Sequence, residues 1–203
     1  GQRKFMGTLW NTYAFFVLYA NIDNFDATKY ELKYDTLSVM DKWLLSKLNT
    51  VVGEVDSDLE NYRIPEAARA LQEFVDDMSN WYVRRSRERF WGTEMTDDKT
   101  AAYMTLYTAL VTLSKLAAPI VPFISEQIYR NLVCSVDPSA PVSVHLCDYP
   151  VSDARLIDRE LEAKVPLMKE GYNFMLHSDH SIPSTVMYET YRYFIEKGLS
   201  LGQ

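Results

Sequence analysis

Asn80-Trp81-Tyr82-Val83-Arg84-Arg85-Ser86-Arg87-Glu88-Arg89-Phe90-Trp91 sets four arginines among four aromatic residues near the middle of the chain. Read backward from this run, apolar side chains recur at Tyr82, Met78, Val75, Phe74, Leu71, Ala68 and Ala67, which is helical spacing, and Ile64-Pro65 puts a proline where a first turn accepts it. The arginines therefore close a long helix. On that helix Trp81, Arg85 and Arg89 fall one above another at i, i+4, and Arg84, Arg87 and Trp91 form a neighbouring stripe. A guanidinium is a permanently charged planar fork that fits a phosphate, and an exposed ring offers a face to an unpaired base, so the mixture suits single-stranded RNA beside a duplex stem. A plainer reading stands beside it: basic residues in last turns also complement a helix dipole, and tryptophans also fill cores. Three arginines within four residues exceed what capping needs, and an anionic partner would relieve their mutual repulsion.

Working outward, Phe5, Leu9, Trp10, Tyr13, Phe16, Val17 and Ala20 predict an amphipathic first helix ending near 21–24. The tyrosine-rich segment 23–34 reads as a loop. Ser38-x-x-Asp41 is a capping signal ahead of Trp43, Leu44, Leu48, Val51, Val52, Val55 and Leu59, the second helix. Gly92 ends the arginine-bearing third helix, Thr96-Asp97-Asp98 caps a fourth running to Ala118, and Pro122 opens a fifth that lasts until Asp137-Pro138. Val142, Val144 and Leu146 alternate with Ser143 and His145 as in a short edge strand, and Asp153 opens a charged connecting helix to about Val165. The expected fold is all-α: a bundle of about five helices over 1–150, a short strand, a connecting helix over 151–165, and an unrelated appended tail over 166–203.

The 203 residues are 47% hydrophobic, enough for a sizeable core. Lysine and arginine number 21 against 28 acidic residues, a net charge of −7, which excludes a broad positive coat and restricts any RNA contact to a local patch. Cys134 and Cys147 are the only cysteines and the amino terminus is not signal-like, a pattern of reduced thiols in cytoplasm. No apolar run approaches membrane-spanning length. Opening on Gly1-Gln2-Arg3-Lys4 inside a helical pattern, the chain reads as a fragment of a longer protein.

Several strings together resemble the anticodon-binding helical bundle of class I aminoacyl-tRNA synthetases, most closely the isoleucyl branch, over about residues 1–164. They are Leu9-Trp10-Asn11-Thr12-Tyr13-Ala14-Phe15-Phe16 with Tyr19-Ala20-Asn21, then Asp41-Lys42-Trp43-Leu44-Leu45-Ser46-Lys47-Leu48-Asn49, then the Asn80–Trp91 run, and then Ala118-Pro119-Ile120-Val121-Pro122-Phe123-Ile124-Ser125-Glu126. Ser143-Val144-His145-Leu146-Cys147-Asp148-Tyr149-Pro150 is similar to the segment that follows the bundle in that family. The resemblance implies a domain that holds the anticodon stem-loop of isoleucine tRNA, working in protein biosynthesis within a ligase whose catalytic domain lies upstream of Gly1. ATP and Mg would serve that parent enzyme. The His-x-Gly-His and Lys-Met-Ser-Lys-Ser signatures that position ATP are absent here, so this fragment is expected to be non-catalytic and to hold no cofactor. By the same resemblance Asn80, Trp81, Arg84, Arg85, Arg87, Arg89 and Trp91 are the tRNA-binding candidates, with Arg3-Lys4 as lesser ones, while Trp43 and the 119–126 segment pack.

From Pro166 the character changes. Gly171-Tyr172-Asn173-Phe174-Met175-Leu176-His177-Ser178-Asp179-His180-Ser181-Ile182-Pro183 with Tyr188-Glu189-Thr190-Tyr191-Arg192-Tyr193-Phe194 is similar to the carboxyl-terminal end of uroporphyrinogen decarboxylase-like proteins, a barrel family that includes corrinoid methyltransferases. Without the barrel no decarboxylase or methyl-transfer activity is implied. His177, Asp179 and His180 carry donors that bind zinc or iron where they converge, but along a strand Asp179 and His180 diverge, and a turn before Pro183 with an amphipathic helix over 188–199 accounts for the segment. Three functions thus stand: an RNA-binding module, a structural or protein-interaction bundle whose arginines pair with Asp76, Asp77 or other carboxylates, and a metal-dependent tail.

Overall fold

The computed structural model describes residues 2–153 together with Arg192 and Glu196. The chain divides into two compact units, Gly1–Val151 and Ser152–Gln203. In the second, Arg192 and Glu196 are helical and pair at 3.6 Å, one turn apart; the expected connecting helix, the rest of the expected 188–199 helix and the His177, Asp179 and His180 candidates lie outside the described residues.

The first unit is an all-α bundle. Helix α1 (Gln2–Asp23) buries Phe5, Leu9, Tyr13 and Phe16 along one stripe. Asn24 ends it in the left-handed region at φ 50°, which lets the Phe25 amide reach back to the Ala20 carbonyl at 2.8 Å. Helix α2 (Val39–Glu60) starts from the predicted capping box: the Ser38 hydroxyl accepts from the Asp41 amide, and the Asp41 carboxylate accepts from the Ser38 amide at 3.0 Å. Its inner face is Leu44, Leu45, Leu48, Val51, Val52 and Val55.

The third rod is continuous but not uniform. Helix α3 (Ile64–Asp77) passes into a π segment (Met78–Val83) and then into α4 (Arg84–Trp91) with helical backbone at each junction. Every i, i+4 step on an α-helix advances about 40° around the axis, so a long buried stripe winds away from a flat partner. The π segment absorbs an extra residue and turns the rod back. Ser86 and Phe90 consequently extend the buried face of Leu71, Phe74, Met78 and Tyr82.

Helix α5 (Asp97–Ala117) is the centre of the bundle, with Ala102, Tyr103, Leu106, Ala109, Leu110, Leu113, Leu116 and Ala117 all inaccessible to solvent. Thr96 caps it, its hydroxyl accepting from the Lys99 amide, and Asp97 and Asp98 occupy the first turn, where negative charge favours the helix dipole. Pro122 begins α6 (Pro122–Tyr129), which continues through a π turn (Arg130–Cys134). Trp43 is half-buried against the core, as its packing role requires, but Phe123 of the 119–126 segment is 90% exposed.

The expected edge strand is instead a 3-10 turn (Val144–Leu146). Its first amides are taken by side chains before any ladder can form: the Glu126 carboxylate accepts from the Val144 amide and the Ser143 hydroxyl, each at 2.9 Å, and the Ser143 hydroxyl accepts from the His145 amide. Glu126 therefore fastens the 143–146 segment to α6. No helix among the described residues is long and apolar enough to cross a membrane.

Candidate nucleic-acid interface

Phe90 anchors the arginine-bearing rod. Its ring packs edge-on against Phe15 of α1 at 5.2 Å and against Tyr103 of α5 at 4.9 Å. With Phe90, Ser86 and Tyr82 turned inward, the other side of the rod must carry Asn80, Trp81, Arg84, Arg85, Arg87 and Trp91, and all six are exposed. Trp81 and Trp91 are 49% and 56% accessible, so neither is a core tryptophan. The Arg85 guanidinium lies over the Trp81 ring at 4.6 Å, the i, i+4 neighbourhood read from the sequence. Stacking fixes the orientation of both groups while about half of Trp81 stays accessible.

Arg89 differs from its neighbours. One i, i+4 step beyond Arg85, it has rotated to the edge of the buried face, and its side chain is only 16% accessible. Its Nη1 and Nη2 donate to Asp41 Oδ1 and Oδ2, each at 2.8 Å, and its Nε and Nη2 donate to the Asp98 carboxylate and backbone carbonyl, each also at 2.8 Å. The Tyr82 hydroxyl donates to Asp41 Oδ1 at 2.6 Å and Ser38 Oγ to Oδ2 at 2.7 Å. Asp41 is wholly inaccessible. Burial alone would raise its pKa, yet the donors from Arg89, Tyr82 and Ser38 outweigh burial and hold it below its ordinary 3.8. Burial beside this carboxylate in turn pushes the Tyr82 hydroxyl up. The placing of Arg89 among phosphate-binding residues is therefore corrected: four of its five N–H groups are taken by Asp41 and Asp98, and the fork joins the starts of α2 and α5 to α4. Local sequence reads Asp41 only as a cap, because its partner lies 48 residues away.

A second buried pair holds the end of α4. Lys99, 2% accessible, bonds the Gly92 carbonyl and pairs with Asp23 at 2.6 Å, and Asp23 also accepts from the Tyr103 hydroxyl. The carboxylates proposed to neutralise the arginines are otherwise engaged: Asp76 pairs with Lys4 at 3.0 Å and Asp77 with Lys47 at 2.9 Å. Among the described residues no carboxylate pairs with Arg84, Arg85 or Arg87. Nor is any group of three or more His, Cys, Asp or Glu among them placed to hold a metal ion.

Comparisons with known proteins agree with this geometry. Residues 41–175, a stretch that runs beyond Pro166, match the family model described as the anticodon-binding domain of tRNA ligase. An isoleucine–tRNA ligase of Clostridium novyi (strain NT) is 56% identical over 166 residues, 82% of this chain and 16% of that protein. One from Clostridium tetani is 51% identical over 174 residues, 86% of this chain and 16% of that protein. One from Bacteroides thetaiotaomicron is 44% identical over 176 residues, 86% of this chain and 15% of that protein. The chain thus spans about a sixth of the length of these relatives. With a family match over most of its length and a fixed, exposed face of arginine and tryptophan, the chain belongs to the anticodon-binding domains of tRNA ligases.

Proposed function

We propose that this domain grips the anticodon stem-loop of isoleucine tRNA on the exposed face of the α3–α4 rod. The observation that carries the reading is the division among the four arginines: one is locked into internal carboxylates, while Arg84, Arg85 and Arg87 have no carboxylate partner among the described residues of an otherwise acidic molecule. Arginines at that density suit phosphates, with Trp81 and Trp91 beside unpaired bases and Asn80 within hydrogen-bonding reach of the same strand. The domain supplies binding, and the ATP- and Mg-dependent aminoacylation of isoleucine tRNA belongs to the part of the ligase outside this chain, in the cytoplasm. Isoleucine specificity rests on the relatives, all three of which are isoleucine–tRNA ligases.

A salt-titrated binding assay against isoleucine tRNA, a tRNA of different anticodon and an unrelated duplex RNA tests the proposal. Tighter binding of the isoleucine tRNA at every salt concentration is expected. Equal affinity for all three would reduce the domain to a non-selective electrostatic contact and overturn the isoleucine assignment.

A further inference from the structure

The tyrosine-rich loop between α1 and α2 has no part in the arginine face, yet it ends a column of rings that starts on the buried side of the same helix. Phe90 of α4 abuts Tyr103 edge-on; Phe25 lies flat on Tyr103 at 4.5 Å and 16°; Tyr30 lies flat on Phe25 at 5.3 Å and 4°. Tyr103 is fully buried and its hydroxyl is tied to Asp23, so the base of the column is fixed. Tyr30 at its top is 38% accessible. It borders a groove of about 460 Å³ whose walls include Lys29, Lys33, Thr36, Asp97 and Thr100.

Each part of this groove has a use for a nucleotide. A ring held flat on a rigid column offers a stacking face without the entropy loss of ordering a mobile side chain. Lys29 is paired with Asp26 at 3.3 Å, whereas Lys33 is exposed and has no ionic partner among the described residues. The Thr36 and Thr100 hydroxyls can donate or accept, and the Asp97 and Glu31 carboxylates, which repel phosphate from their own side, accept from exocyclic amines of bases. Lys42, on the first turn of α2, lies over Tyr34 at 5.3 Å and extends the same mixture of cations and rings along the loop toward Asp41 and Arg89.

We infer that this groove is a second RNA contact, receiving one unpaired nucleotide with its base on Tyr30 and its phosphate on Lys33. The inference rests on the RNA-binding reading above and adds a site that the arginine run does not contain. Tyr30 and Lys33 would read unpaired structure, while Arg84, Arg85 and Arg87 hold the backbone.

The test uses the full 203-residue chain and an isoleucine tRNA transcript. With the photoreactive p-azidophenylalanine at position 30, irradiation should attach the protein to an unpaired nucleotide. The same group at position 62 should not attach, because Tyr62 follows the far end of α2, a helix about 33 Å long whose start lies beside the loop that carries Tyr30. Tyr30→Ala should weaken binding roughly 5- to 150-fold, Tyr30→Phe should bind as the parent does, and Lys33→Ala should lower the salt slope by about one unit. Absence of attachment at position 30, with parental affinity in Tyr30→Ala and weakened binding in the Arg84→Ala/Arg85→Ala double variant, would overturn the groove and leave the arginine face standing. Parental affinity in all of these variants would overturn both. Where Tyr30→Ala fails to fold, the attachment experiment decides alone.

Discussion

At the residue scale the four arginines of one short run divide into two kinds, and the division predicts opposite phenotypes. Arg89→Ala leaves a fully buried carboxylate without its counter-ion and should cost about 3–5 kcal/mol of stability, measured as a lowered midpoint in chemical denaturation. Arg84→Ala and Arg85→Ala remove exposed side chains and should each change stability by no more than about 0.5 kcal/mol while weakening RNA binding. The pH dependence follows from Asp41. Its folded pKa lies below the ordinary 3.8, so the stability it contributes is complete above that value and is lost as the pH falls through the lower folded one. Stability measured from pH 6 downward should therefore show an acid limb that is shallower in Asp41→Asn, because the neutral amide has no proton to take up in that range. A limb of unchanged steepness in the variant would assign acid sensitivity to other carboxylates.

At the element scale the π segment decides which side of α4 meets solvent. Deleting Asn80 removes the extra residue and should let the segment close as regular α-helix with α4 facing as before, whereas inserting an alanine after Asn80 should turn α4 by roughly 100° relative to α3, pulling Phe90 from its contacts with Phe15 and Tyr103 and dislodging the exposed arginines. Loss of RNA binding together with a clear fall in thermal midpoint is expected of the insertion, whereas the deletion should retain the fold. Circular dichroism melts of the two variants separate these outcomes. The same segment shows why the sequence could be read only in part. Apolar spacing around Ala67, Leu71, Phe74, Met78 and Tyr82, the Ser38–Asp41 box and the Thr96 cap are local signals, and each produced the expected helix at the expected place. A π turn leaves no such signature, so the register that puts Ser86 and Phe90 on the buried face is not legible locally, and the stripe that grouped Arg89 with Trp81 and Arg85 overlooked the advance of about 40° per i, i+4 step that brings Arg89 to the edge of that face. The alternation at Val142, Val144 and Leu146 suggested a strand because a two-residue period does not reveal that Glu126, far back in the chain, binds the Val144 amide. Capping and periodicity are written in neighbouring residues, whereas the partners of Arg89, Lys99 and Glu126 are set by packing.

At the scale of the whole molecule a net charge of −7 makes the placement of positive charge the governing variable. Most of the acidic surface repels a polyanion, so an RNA approaches productively where uncompensated arginines lie, and the long-range repulsion helps orient it. The cations of Lys4, Lys47, Arg63 and Lys99 are all committed to carboxylates within the fold, the last of them deeply buried. Among the described residues, Arg84, Arg85 and Arg87 form the cluster of cations without a carboxylate partner, and phosphate contacts confined to such a cluster give a modest salt dependence. The most direct measurement is the slope of log affinity against log salt for isoleucine tRNA, compared between the parent chain and the Arg84→Ala/Arg85→Ala/Arg87→Ala triple variant. If these three arginines hold phosphates, the slope should fall by about 2–3 units with the fold intact. A folded triple variant with the parental slope and affinity would contradict the account, because the uncompensated arginines would then not be where the RNA binds.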